Sequence, residues 1–129
     1  MKLLQPAGWP RPKGYANGIA VRGEQIFLAG LIGWDAQGKF PKGLTAQFRQ
    51  TLENIVAVLA EAEARPEHIV RMTWYITSRD EYLTQSSDIG AVYREVIGRH
   101  FPVMAVVQVV SLMEAEAEVE IEVTAVIPD

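Results

Sequence analysis

Cysteine is absent from the 129 residues, which removes disulfides, thiolate metal sites and cysteine nucleophiles at once. Histidine is nearly absent too: His68 and His100 are far apart and sit in no ligand-spaced motif, so they read as surface or packing residues. Neither a metal nor a cofactor is expected from that inventory. No stretch approaches the ~18 consecutive apolar residues of a membrane span. Positive charge is also scarce, with 12 Lys and Arg against 16 Asp and Glu and a net charge of -4. Without a basic stripe, nucleic acid is disfavoured as a partner. There is no G-x-S-x-G elbow, and "GYANG" and "AGLIG" lack the glycine spacing that cradles phosphate. The start, "MKLLQPAGWPRPKG", meets Gln and Pro before an apolar leader forms, so a mature cytoplasmic protein is expected.

What is present is ordinary globular composition, 49% hydrophobic and 22% charged, in a length that suits one domain over residues 1–129. "GWPRPKGYANG" reads as an ordered loop. "IAVRG" and "QIFLAGLIGW" read as two strands of a hairpin. From Ala46 to Glu63 the residues Phe48, Leu52, Ile55, Val56 and Leu59 mark one face of an amphipathic helix, with Thr45 as its cap. "HIVRMTWYIT" alternates as a strand. Ile89, Val92, Tyr93, Val96 and Ile97 give a second helical stripe, capped by Ser86 or Ser87. A strand after Pro102 and a last strand, "EAEAEVEIEVTAVI", complete the order ββαβαββ.

Two helices cover one face of such a sheet, yet the strand after Pro102 is apolar on both. Val103, Ala105, Val107 and Val109 point one way, and Met104, Val106 and Val110 the other. The second face needs cover, either from further copies of the chain or from the N-terminal loop. In the last strand the period of two puts Glu116, Glu118, Glu120 and Glu122 on one face. Most of such a ladder is a solvated face, but a member shielded at a subunit boundary would have its pKa raised toward the range useful for proton transfer. Periodicity does not choose which. Gly30, inside a strand pattern, lets a backbone or a ligand approach closely.

Taken in order, "KGYANGI", "IFLAGLIGWDAQGKF", "QFRQTLENIVAVLAEA", "HIVRMTWYIT", "YREVIGRHFPVMAVVQV" and "VEIEVTAVI" resemble the RidA (YjgF-like) superfamily over nearly the whole chain. The resemblance implies an α+β, chorismate-mutase-like fold with two helices on one sheet face, assembled as a homotrimer with clefts between subunits. It also implies enamine or imine hydrolysis that releases ammonia. Tyr15 and Gly30 match the family's cleft positions, and the "VEIE" register selects Glu120 as the acid-base residue, with Tyr15 as its catalytic companion.

Two positions depart from the family's pattern. Met104 stands where deaminases of the family carry a carboxylate-binding Arg in "PAR", and Gly90 stands where they carry an Asn. One charged hydrogen bond is worth roughly 1.5 to 3 kcal/mol, so the resemblance implies a changed substrate. Met104 and Val106 would form an apolar floor, and Trp34 or Trp9 an aromatic wall. Arg11, Lys13 and Arg71 are candidates to hold a carboxylate, and a 2-aminomuconate-type molecule is one substrate of that kind. The alternative is a module that binds a small metabolite and catalyses nothing. A ribonuclease or translation inhibitor, a label some relatives carry, fits an acidic chain least well.

Overall fold

In the computed structural model, which describes residues 1–129, the N-terminal half holds β1 (Lys2–Leu3), β2 (Ile19–Ala20), β3 (Gly23–Phe27), β4 (Leu31–Ile32) and α1 (Leu44–Ala60). A single 3₁₀ turn (Pro66–His68) then leads into β5 (Ile69–Ile76), α2 (Arg79–Thr84), α3 (Ser86–Val96), β6 (Val103–Gln108) and β7 (Val119–Pro128). The main sheet runs β3-β7-β5-β6, with β4 also on β7; β6 is parallel to β5 and the other pairings are antiparallel. The long helices α1 and α3 cover one face, as their apolar stripes require.

Phe48, Leu52, Ile55 and Leu59 of α1 are fully buried against Ile69, Met72 and Trp74 of β5 and Val119, Ile121 and Val123 of β7. Each such burial stabilises by about 1.5–3 kcal/mol relative to leaving the side chain in water. A buried polar residue fixes the register between these layers. Gln47 donates from Nε2 to the Glu116 carbonyl at 2.9 Å and accepts from the Glu118 N–H at 2.8 Å, so α1 is tied to the entry of β7. Near the other sheet edge, Asn54 donates to the carbonyls of Ile32 and Trp34, each at 2.9 Å.

Several expectations need correction. The hairpin between "IAVRG" and "QIFLAGLIGW" does not form: β2 pairs with β1, whereas β3 and β4 both lie along β7. The ten-residue β7 offers a full-length partner that a two-residue stub cannot match. Gly23 permits the join, because its φ of 154° is rarely open to other residues and a Cβ there would stand 2.0 Å from the Ile127 carbonyl oxygen. Helix α1 starts two residues before the expected Ala46 and has Gly43, not Thr45, at its cap. Thr45 instead donates from its N–H and its hydroxyl to Oε1 of Gln85, at 3.1 and 2.6 Å. Ser86 and Ser87 lie inside α3, while Ser78 caps the unforeseen α2 by accepting from the Glu81 N–H at 3.1 Å. The glutamate ladder shortens to Glu120 and Glu122, because β7 begins only at Val119.

The second sheet face stays open in the protomer. Phe27, Tyr75, Val107 and Glu122 lie on it, and Phe27 is 72% exposed. The N-terminal segment reaches one end of this face, where Ile19–Val21 border a groove with Arg71, Val103 and Thr124. Ala105 and Val107, farther along β6, remain exposed.

Candidate functional site

The residues marked in the sequence fall into two separate cavities. The first, of about 400 Å³, opens between the exposed edge strand β6, helix α3 and the N-terminal loop, and brings together Tyr15, Met104, Val106, Gly90 and Lys13. Register explains the strand residues: Met104 and Val106 pair with Met72 and Trp74 of β5, so they share the helix-covered side of the sheet. The loop is pinned alongside them. The Ala16 N–H donates to the Pro102 carbonyl at 3.0 Å and Ala16 bridges in parallel to Val103, which sets Tyr15 next to Phe101.

The second cavity, of about 410 Å³, contains Gly30, Trp34 and Glu120 together with Asn54, Met113 and Glu114. Glu120 is half-buried in β7, opposite Ile32 on one side and Tyr75 on the other. Its carboxylate presses on the backbone of Gly30, where a Cβ would lie 2.3 Å from Oε2. The neighbouring Glu122 is engaged differently: Tyr75 donates its hydroxyl to Glu122 Oε1 at 3.1 Å, and that bond, with the charges of Glu122 and Glu120, raises the phenol's pKa. Glu120 is therefore the strand carboxylate that faces the cavity. Trp34, half-exposed, tilts over Phe40 with centroids 5.9 Å apart and closes one side.

The cation candidates separate in space. Lys13 is in the first cavity; Arg11 lies in an adjacent hollow of about 580 Å³ with Arg99 and His100; Arg71 is in the groove of the open face. Trp9, 60% exposed, lies outside all of these lining sets. His68 accepts the Arg65 N–H at its Nδ1, 2.9 Å away, and His100 Nε2 lies 2.6 Å from the Ile69 carbonyl, so both rings are engaged with backbone.

The first cavity also holds Trp74 and Tyr93, which the sequence patterns had assigned to a packed face, and Tyr82, Phe101 and Arg94, which those patterns did not single out. The alternation of β5 and the stripe of α3 announced a core face, and the cavity is the place where that face runs out of helix to cover it. Tyr82 and Tyr93 are pushed up by burial, so both phenols stay protonated through neutral pH.

Outside both cavities, Glu118 is pushed up by partial burial and then by the nearby Glu81 carboxylate. A carboxyl raised in the folded state contributes stability that is present while it is protonated, below its unfolded value, and lost as pH rises through the folded value. The melting temperature should thus carry a component that falls as pH rises from the ordinary glutamate value of 4.5 toward neutrality. Glu118→Gln should flatten that fall in a calorimetric pH series and raise the melting temperature at neutral pH. An unchanged slope would mean that neither burial nor the Glu81 carboxylate raises Glu118 in solution.

An open-faced sheet with two long helices on the other side defines the class of fold. Residues 10–127 match the family described as Endoribonuclease L-PSP. A RutC family protein of Aquifex aeolicus is 33% identical over 128 residues, covering 98% of this chain and 99% of the relative. The Escherichia coli protein named "Putative reactive intermediate deaminase TdcF" is 31% identical over 116 residues, covering 87% and 85%. Among solved structures, the Rid family protein YyfB of Yersinia pestis aligns with a TM-score of 0.81 at 28% identity, over 98% of both chains. Escherichia coli TdcF with bound serine aligns at 0.70 and 30% identity, over 98% of this chain and 99% of that one. The chain belongs to the RidA (YjgF-like) superfamily.

None of its helices is long and apolar enough to cross a membrane.

Proposed function

We propose that this protein is a cytoplasmic enamine and imine deaminase whose site forms between copies of a single-domain chain in a homotrimer. One observation carries the reading: Tyr15, Met104 and Val106 share one cavity, Gly30 and Glu120 another, and the two have no lining residue in common. In this reading each cavity of a protomer is one half of a site, and the uncovered sheet face is the surface on which copies would join. The relative named as a reactive intermediate deaminase, and the serine bound in the TdcF structure, support a small nitrogen-bearing substrate.

In this reading Glu120 takes a proton from water as the oxygen adds to the C=N carbon, and returns it to the nitrogen. Collapse of the adduct leaves a carbonyl and expels ammonia, so one imine and one water give one carbonyl compound and one ammonia. An enamine enters by taking a proton at carbon and giving one up from nitrogen, which converts it to the imine. Gly30 leaves space for the carboxylate, and Tyr15 offers a phenol on the facing half. Met104 and Val106 make the floor apolar, which favours a larger substrate than a short α-imino acid; a 2-aminomuconate-type molecule is of that kind.

The test is ammonia release from freshly generated enamines and imines of increasing size, run beside light scattering. Release above the uncatalysed rate from a protein of three times the chain mass supports the reading. A monomer, or no release from any substrate while a metabolite still binds, would instead favour the non-catalytic binding module.

A further inference from the structure

The first cavity carries positive charge alone, as does the adjacent hollow with Arg11 and Arg99. None of its thirteen lining residues is acidic, although the chain as a whole has a net charge of -4. Its charged members are Lys13 and Arg94. Arg94 lies one helical turn after Gly90, and a Cβ at Gly90 would stand 3.5 Å from Nη1 of Arg94. The guanidinium is therefore folded back along α3, over the bare backbone of Gly90 and toward the cavity. It belongs to neither ion pair of the protomer: its neighbour Glu95 is taken by Arg49 at 2.6 Å, and the other pair joins Arg65 to Glu67.

Behind this cation the walls are aromatic. Trp74 stands 6.3 Å from Tyr82 and 6.0 Å from Tyr93, and Tyr93 stacks on Phe101 at 5.9 Å with 14° between the planes. The indole N–H of Trp74 has no hydrogen-bond partner, and the residue is only 5% exposed. Such an orphaned donor is uncommon in a folded interior and marks a place where an acceptor is wanted. A cation at the rim and flat apolar walls together fit a planar anion.

Building on the deaminase reading, we propose that Arg94, supported by Lys13, determines specificity at this site by binding the carboxylate of a planar, conjugated enamine or imine. The body of that molecule lies against Tyr82, Tyr93 and Phe101, beside Trp74. A guanidinium suits this task because its fork pairs with both carboxylate oxygens. The anchor thus sits on a helix, whereas the β6 residues of the cavity supply only apolar contact.

The experiment is titration calorimetry, with ¹⁵N-edited spectra of the tryptophan indoles, on the full-length chain. Benzoate is the probe, benzamide its uncharged counterpart and propanoate a carboxylate without a ring. Benzoate should bind at least about tenfold more tightly than either, and should shift the indole resonance that Trp74→Phe removes. Arg94→Gln should weaken benzoate by about ten- to a hundredfold, as expected for loss of a charged hydrogen bond, and leave benzamide unchanged. Arg94→Lys, which keeps the charge and loses the fork, should fall between them. No binding of benzoate, equal binding of benzoate and benzamide, or indifference to both Arg94 variants would overturn the proposal. Ammonia release judges the enzymatic reading separately. Arg94-dependent benzoate binding without hydrolysis would end the deaminase reading and keep the anchor; hydrolysis with no role for Arg94 would do the reverse.

Discussion

Glu120→Gln should lower ammonia release from any substrate the protein hydrolyses by at least about a hundredfold, since a positioned acid-base group contributes typically 10²–10⁴. The amide keeps the shape of the side chain and loses the ability to take a proton from water. The fold should not notice. Glu120 projects from the open face of β7, whereas the core contacts of that strand are made by Val119, Ile121 and Val123. A melting temperature within a few degrees of wild type therefore accompanies the loss, which separates chemistry from stability. Glu122→Gln is the internal comparison: its carboxylate is occupied by Tyr75 and lies outside the second cavity, so its effect should be much smaller. Equal losses in the two variants would mean that the strand's negative charge matters and not a particular proton acceptor.

Alanine at Gly30 and alanine at Gly33 should fail in opposite ways. At Gly30 the new Cβ would stand 2.3 Å from Glu120 Oε2, the end of a flexible side chain that can swing aside at little cost to the fold. The carboxylate is then displaced from its seat, and a misplacement of about 1 Å in a catalytic group can cost on the order of a hundredfold in rate. Gly30→Ala should thus be folded and nearly inactive. At Gly33 the new Cβ would meet the backbone oxygen of Gln47 at 2.7 Å, and α1 cannot move away without disturbing the two hydrogen bonds through which Gln47 holds the entry of β7. Overpacking of that kind costs about 1–3 kcal/mol. Gly33→Ala should unfold at lower denaturant concentration and keep its activity per folded molecule. Paired denaturation curves and ammonia assays read both effects, and an active Gly30→Ala would show that Glu120 does not work from the position it occupies here.

The fold was legible wherever a periodic apolar pattern met a long element. The stripe from Phe48 to Leu59 and the alternation through Met72 and Trp74 became α1 and β5 with boundaries shifted by a few residues. The pairing of β3 and β4 was not legible, because the tight turn near Gly23 looks the same whether the next strand returns to its neighbour or crosses to β7, a hundred residues later. The glutamate ladder misled for a similar reason: Glu116 and Glu118 keep the alternation, but the Gln47 bridge and the turn before Val119 take them out of the strand.

For the candidate site, Gly30 stood out as a glycine inside a strand pattern and Glu120 as one of four alternating glutamates, while family resemblance was needed to choose Glu120 among them and to mark Tyr15 and Met104; nothing in one sequence said that these residues would divide between two cavities. Arg94 was hidden more thoroughly. Its meaning depends on the empty Cβ position at Gly90, four residues earlier, and on Trp74, whose place in an alternating strand looked like ordinary core.

The most direct measurement of a site shared between copies is complementation in mixed oligomers. Glu120→Gln disables the second cavity, and Gly90→Phe fills the first; each variant alone should be nearly inactive. When the two are unfolded, mixed and refolded together, an oligomer joins the intact first cavity of one chain to the intact Glu120 of another. Ammonia release should then recover to a substantial fraction of wild type. If the mixture stays as inactive as its components while wild type refolds to full activity under the same conditions, the two cavities do not combine across copies and no site is shared between them.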